Sequence, residues 1–181
     1  MKKSKKSTCL LYAALFALGS ASLSAEEAAG PTDPQIAAIV VTANQVDIDA
    51  GKLAESKSKS KDVKDFAKLM VTDHSGVNAS ATELVKKLHV TPEPSATSRT
   101  LQQGGDENLA SLKKLHGKAF DKQYIDHEVA YHQAVLDALD KTLIPSAQNA
   151  ELKALMVKVR PAFVAHLEHA KHLQSKLSSG A

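Results

Sequence analysis

Apolar residues recur at steps of three and four through four long stretches of the chain, which is the spacing of amphipathic helices. The pattern predicts long helices over about 34–57, 61–89, 119–143 and 147–177, with a shorter helix over 106–116. Residues 90–105 hold two prolines and two glycines among few apolar residues, and predict a long loop. The sequence therefore predicts an all-α protein: a four-helix bundle over 33–177, with a long connection between its second and third long helices and one extra short helix.

Two prolines mark predicted helix boundaries. Asp33 can cap the first helix, and Pro34 suits a first helical position, where the missing N–H costs nothing. Pro145, followed by Ser146, predicts the end of the third long helix and the turn into the fourth.

Ionisable residues interrupt the apolar stripe of every long helix. Where an apolar side chain is expected, the helices carry Asp47, His74, His132 and His166. Burying an unpaired charge is costly, so such groups usually meet one another, a hydrogen-bond partner or a metal ion. Neutral imidazole is a common metal ligand. The set therefore predicts a metal site in the bundle interior, the alternative being core histidines with a purely structural role.

The stretch YIDHEVAYH (124–132) has the composition of a zinc hydrolase helix but not its spacing. His127 and His132 are five residues apart, which separates them by roughly 140° around a helix axis. The hydrolase motif H-E-x-x-H needs a separation of four to bring both imidazoles to one face. A metalloprotease helix is therefore excluded. Glu128 and His132 are four apart and share a face, so Glu128 joins the candidate ligands.

His169 flanks the stripe of the last helix and is the remaining candidate, while Asp73 is predicted to face solvent. The predicted metal ligands are thus Asp47, His74, Glu128, His132, His166 and His169.

The four inward groups can share one metal site only if they lie at similar levels along the bundle. Counted from the turn between the first two helices, Asp47 and His74 are nearly level. Counted from Pro145, His132 and His166 differ by eight residues, or roughly 12 Å at 1.5 Å per residue. This count argues against a single site that contains all four inward groups.

The first 25 residues have the pattern of a secretory signal peptide. Four lysines precede an apolar run from Cys9 to Leu18, and small residues follow. Removing this segment lowers Lys plus Arg from 23 to 19 against 20 acidic residues, so the remaining chain has no basic surface for nucleic acid. It also has no cysteine, because Cys9 is the only one. These features predict a periplasmic or outer-membrane-associated protein with possible envelope association.

Four motifs identify a family resemblance that covers 33–177. They are G-x-L-A at 51–54, V-K-x-F-A-x-x-M-V-x-D-H at 63–74, F-D-x-x-Y at 120–124 and P-x-x-x-x-H-L at 161–167. In these motifs the chain resembles an uncharacterised family of exported bacterial proteins with a ferritin-like fold, often labelled as outer membrane proteins. The resemblance implies that fold and export. It implies no established activity, since the family is a domain of unknown function.

Ferritin-like folds raise the question of di-iron chemistry, for which two helices supply a glutamate and two others supply Glu-x-x-His. No Glu-x-x-His occurs after the predicted leader. A histidine-rich donor set suits Zn²⁺, Cu²⁺ or Ni²⁺ better than Fe. The predicted cofactor is therefore a divalent transition metal, with zinc, copper or nickel favoured over iron.

Two functions follow from these patterns. One is metal handling or envelope stress in the exported compartment, through a divalent ion bound in the bundle. The alternative is a non-catalytic envelope interaction or stress module with structural histidines. No nucleophile elbow, phosphate loop or catalytic dyad is visible, so the sequence favours binding over an enzymatic role.

Overall fold

The computed structural model describes residues 30–179, a range that is helical and contains no strand. The predicted signal peptide and Cys9 lie outside the described residues. The helices are α1 (Asp33–Lys57), α2 (Lys61–Lys87), α3 (Ala96–Lys114), α4 (Gly117–Ala138), a π-helical segment (Leu139–Leu143), α5 (Ile144–Ser146) and α6 (Ala150–Ser179). None of the helices in this part of the chain combines the length and the apolarity that crossing a membrane requires.

Thr32, rather than Asp33, caps α1. The Thr32 hydroxyl accepts the Gln35 backbone N–H, and the Gln35 side chain accepts the Thr32 backbone N–H, which forms a capping box. Asp33 is already helical, and its two carboxylate oxygens each accept a backbone N–H at 2.9 Å, from Gln148 and Asn149. Asp33 thus joins the start of α1 to the turn before α6.

The predicted loop over 90–105 is wrong in its second half, because α3 begins at Ala96. The Ser95 hydroxyl accepts the Ser98 backbone N–H and the Ser98 hydroxyl accepts the Ser95 backbone N–H, so a capping box starts this helix. Gly105 lies where α3 crosses α1: a Cβ built on it would lie 2.6 Å from a Val46 methyl carbon. The glycine permits close helix approach there, and does not mark a loop.

The third long helix does not stop at Pro145. The π-helical segment Leu139–Leu143 ends two residues before Pro145, and the chain stays helical to Ser146. The turn into α6 therefore spans 147–149.

The helices form a bundle in which α1 packs along α2 and α3, α4 packs along α6, and α2 packs along α6. Two apolar clusters fill its interior. The first cluster is built on Ile36, Ile39, Val40, Val77, Leu136, Leu139, Met156 and Phe163. The second cluster is built on Ala50, Ala54, Phe66, Met70, Leu112, Phe120, Tyr124 and Leu173.

A polar layer separates the two clusters. On α1, α2 and α4 it falls between the two apolar stretches, at 44–47, 74 and 128–132; on α6, residue 166 lies near their boundary. Four helices therefore each direct polar side chains to one level of the bundle. This layer holds most of the predicted ligands.

Candidate metal centre

The polar layer brings together an acid and three histidines from four different helices. Asp47 lies on α1, His74 on α2, His132 on α4 and His166 on α6, and each is at most 3% exposed. Glu128, one turn before His132, is equally buried. Isolated ionised groups are strongly disfavoured at such depth, so the layer needs internal compensation.

The three imidazoles form a compact triangle. Ring centroids lie 5.6 Å apart for His74 and His132, 5.3 Å for His74 and His166, and 5.4 Å for His132 and His166. One ring nitrogen from each lies within 4.8 Å of the other two. The sequence count that separated His132 from His166 by roughly 12 Å is therefore wrong: the three histidines form one group of possible ligands, and Asp47 forms an overlapping group with Glu128 and His132.

The hydrogen bond of His74 fixes which of its nitrogens carries hydrogen. The side-chain amide of Asn44 donates to the Val40 carbonyl at 2.8 Å, which turns its oxygen towards His74. That oxygen lies 2.7 Å from Nδ1 of His74 and can only accept. Nδ1 is therefore the donor, and in the neutral ring Nε2 carries the lone pair.

The same reasoning applies to the other two imidazoles. Nδ1 of His132 donates to the Glu128 backbone carbonyl at 3.0 Å. Nε2 of His166 donates to Oδ2 of Asp73 at 2.9 Å. The remaining nitrogens, Nε2 of His74, Nε2 of His132 and Nδ1 of His166, are buried without a hydrogen-bond partner. Each histidine thus donates one ring N–H to an outer acceptor, that is, an oxygen on the side of the ring away from the cluster. Such hydrogen bonds fix the tautomer and are typical of histidines that bind metals.

Asp47 faces these unpartnered nitrogens. Its Oδ2 lies 2.9 Å from Nε2 of His74 and 3.5 Å from Nε2 of His132. Neither contact is aligned as a hydrogen bond, and both oxygens of Asp47 are buried without a partner. A carboxylate oxygen and imidazole lone pairs repel one another at these distances, so the arrangement requires a cation among them, either a proton or a metal ion.

Burial governs the protonation of the layer. It lowers the pKa of His132 to about 4, although Asp47 opposes the shift. It also lowers the pKa of His166, against the hydrogen bond with Asp73. Burial alone would raise the pKa of Asp47, but attraction to His74, His132 and His166 leaves it below its usual value. Asp47 is thus favoured as a carboxylate, and His132 and His166 are favoured as neutral imidazoles, the states in which these groups bind metals.

Glu128 has the opposite behaviour. Burial, reinforced by the nearby Asp47 carboxylate, raises the pKa of Glu128 well above its usual value. One oxygen of Glu128 lies within 4.8 Å of ligand atoms of Asp47 and His132. Burial beside Asp47 therefore favours the protonated form of Glu128, which becomes a further oxygen ligand only when it loses its proton.

The sequence matches the family described as Domain of unknown function (DUF4142) over residues 18–173. The chain belongs to this family. Searches of curated proteins and of solved structures found no match. All the residues of the polar layer lie within the part of the chain that matches the DUF4142 family.

His169 is the predicted ligand that the structure does not bring to the centre. It is exposed on α6, and its ring meets the edge of Phe66 with centroids 5.1 Å apart. His166 faces inward instead, together with Phe163 and Ala170 at helical spacing. His127 also lies outside the groups that could hold an ion.

Two residues of the layer were not predicted from the sequence. Asn44 lies one turn before Asp47 on the same face of α1, and an inward amide at that spacing was the available signal. Asp73 was predicted to face solvent; its side chain is 38% exposed, but Oδ2 accepts from His166. Its position next to His74 gave no indication that it reaches across to α6.

Proposed function

We propose that this protein binds one divalent transition metal ion in the bundle interior, through His74, His132, His166 and Asp47. The observation that supports it is the common orientation of the histidines. Each has one ring nitrogen engaged with an outer acceptor and the other buried without a partner. The carboxylate of Asp47 faces two of these free nitrogens at 2.9 and 3.5 Å.

The proposed stoichiometry is one ion per chain. Each imidazole has a single free nitrogen, so His132 cannot bridge two ions. Glu128 belongs to the second group of possible ligands, with Asp47 and His132, but burial beside Asp47 raises its pKa and favours its protonated form. A carboxylate-rich centre for two metal ions needs bridging carboxylates and Glu-x-x-His motifs, and the layer supplies neither.

Three imidazoles and one carboxylate supply four donors, which completes the tetrahedral coordination that zinc prefers in closed sites. Copper and nickel accept the same donors in other geometries, and iron is less well suited. A complete donor set with no ligand position left for a substrate favours holding an ion over catalysis. The proposed role is metal handling or envelope stress.

Compartment, partners and topology are part of the proposal. The leader pattern over 1–25 supports export to the periplasm or outer-membrane association. The charge balance after the leader supports a role without nucleic acid. The four helices that surround one polar layer support a ferritin-like arrangement with α3 as the added helix.

Elemental analysis and titration test the proposal. Protein purified from the compartment where it accumulates should contain about one transition-metal ion per chain. After chelation, titration calorimetry should show one saturable site for Zn²⁺, far tighter than 100 μM. Co²⁺ should give the visible absorption of a tetrahedral nitrogen–oxygen site.

A combined variant supplies the control. His74→Gln, His132→Gln and His166→Gln together should abolish binding, whereas His172→Gln on the exposed face of α6 should leave it unchanged. If the wild type binds no ion below about 100 μM, the proposal is wrong and the histidines are structural. That result would favour the interaction-module alternative.

A further inference from the structure

An apolar cavity adjoins the polar layer on the side of the first cluster. Its volume is about 300 Å³, and α1, α2, α3, α4 and α6 contribute to its wall. Val40, Leu101 and Met156 are among the apolar side chains that line it. Its inner end reaches Asn44 and His74. The cavity therefore ends against an imidazole of the candidate metal centre.

The outer end opens between α3 and the last turns of α4. Three lining residues are exposed: Thr97 on α3, Ala134 on α4 and Thr142 in the π-helical segment. Leu139 and Leu143 of the same segment also line the cavity. Single π-helical turns inside α-helices are frequently located at functional sites. Here the π turns form part of the wall next to the opening.

The chemistry of the lining restricts what can bind. No charged side chain lines the cavity among residues 30–179. The amide and the hydroxyl at its inner end are already engaged: Asn44 donates to Val40 and accepts from His74, and the Tyr131 hydroxyl donates to the Ala43 carbonyl at 2.8 Å. An ionised ligand would lose its hydration without compensation. A cavity of 150 Å³ accommodates benzene, so this volume suits a ligand of about ten to twelve non-hydrogen atoms.

We propose that this cavity is a binding site for a neutral, predominantly apolar small molecule, aromatic or aliphatic, that lies between α3 and α4 with its inner end against His74 and Phe163. Phe163 stacks on His74 with ring centroids 5.0 Å apart and an interplanar angle of 12°. The ligand would thus contact a flat aromatic wall that leads to the polar layer. This site is separate from the proposed metal function and does not require a bound ion.

The test uses 2-naphthol as the neutral probe and 2-naphthalenesulfonate as its anionic counterpart with the same ring system. The chain has no tryptophan, so naphthyl fluorescence can be followed without indole background. Full-length, metal-free protein should bind 2-naphthol saturably at one site per chain. It should bind the sulfonate at least about tenfold more weakly.

Matched Ala→Phe variants locate the binding site. Ala134→Phe places a ring over the opening and should weaken 2-naphthol binding at least about tenfold. Ala119→Phe is the same change at an exposed position of α4 outside the cavity, and should leave the affinity within about twofold. Circular dichroism of both variants checks that each is folded.

Three results would overturn the proposal: no saturable binding of 2-naphthol by the wild type, equal affinity of the two variants, or equal binding of the sulfonate. Since all titrations use metal-free protein, none of these results bears on the metal centre.

Discussion

Oδ2 of Asp47 lies 2.9 Å from Nε2 of His74, deep in the bundle, and the contact is not a hydrogen bond. Asn44, one turn away on the same helix as Asp47, holds Nδ1 of His74 at 2.7 Å. One helix thus provides both the outer acceptor that orients the imidazole and the carboxylate that its free nitrogen faces. A cation between the two groups would resolve their repulsion.

Replacing Asp47 should therefore affect the ion more than the fold. Asp47→Asn keeps the shape of the side chain but removes the negative charge that faces the free nitrogens of His74 and His132, and should weaken Zn²⁺ binding by at least about 100-fold. Asp137→Asn, the same change at an exposed position on α4, should have no effect. Calorimetric titration of both chelated variants measures this, and equal affinities would contradict the assignment of Asp47 as a ligand.

Asn44 provides a test of the outer hydrogen bonds. Asn44→Leu keeps the branched shape of the side chain but removes the acceptor for Nδ1 of His74, leaving a buried N–H unpaired. We expect an affinity loss of about 10- to 100-fold and a fall of about 1–3 kcal/mol in the free energy of unfolding of the metal-free protein.

Asp73→Asn is the comparison for this prediction, because its amide oxygen can still accept from His166. Its effect on affinity should be clearly smaller than that of Asn44→Leu. Titration and urea unfolding give both quantities. If both variants bind as the wild type does, the outer hydrogen bonds do not orient the imidazoles for an ion.

His132 should make the stability of the metal-free protein fall on moderate acidification, whereas the raised pKa of Glu128 acts in the opposite direction, because the folded chain binds the Glu128 proton more tightly than the unfolded chain does. The pKa of His132 is about 4 in the folded chain against an ordinary value of 6.5, so between these pH values the unfolded chain binds more protons. The contribution of His132 to the free energy of unfolding therefore decreases as pH falls through this window, by up to about 3 kcal/mol. The lowered pKa of His166 acts in the same direction, whereas Asp47 contributes only below its ordinary 3.8.

Urea unfolding in the presence of a chelator, at several pH values between 7 and 4.5, measures this slope. His132→Gln should reduce it, and His172→Gln should keep the wild-type slope. A slope that His132→Gln leaves unchanged would show that other groups cause the acid sensitivity.

Much of the centre was accessible from the sequence because helical periodicity defines which positions face inward. Asp47, His74, His132 and His166 interrupt apolar stripes, and all four are buried. Their convergence was not predictable, since it depends on where the last turn lies. Around Gln148, the middle of the observed turn, His132 precedes by 16 residues and His166 follows by 18, which makes them nearly level. Placing the turn at Pro145 misaligned them by eight residues.

The error at α3 has a different physical origin. Gly104 and Gly105 reduce intrinsic helix propensity and suggested a loop. Contact with α1 outweighs that cost, and Ser95 with Ser98 caps the helix. Helix α3 forms because its packing against α1 outweighs the low helix propensity of the two glycines. The sequence pattern of α3 alone does not show that α1 packs there.

These adjacent glycines should respond to alanine in opposite directions. A Cβ on Gly104 meets nothing within 4 Å, so Gly104→Ala should raise the free energy of unfolding by about 0.5–1 kcal/mol through helix propensity. A Cβ on Gly105 would lie 2.6 Å from one methyl carbon of Val46 and 3.3 Å from its Cβ, a clash that side-chain rotation cannot fully relieve. Overpacking costs about 1–3 kcal/mol, so Gly105→Ala should be destabilising overall. Urea unfolding of both variants measures the two changes in the free energy of unfolding. In a Val46→Ala background, Gly105→Ala should be less destabilising. If both glycine replacements stabilise the otherwise wild-type protein, α3 does not pack tightly against α1 at this point.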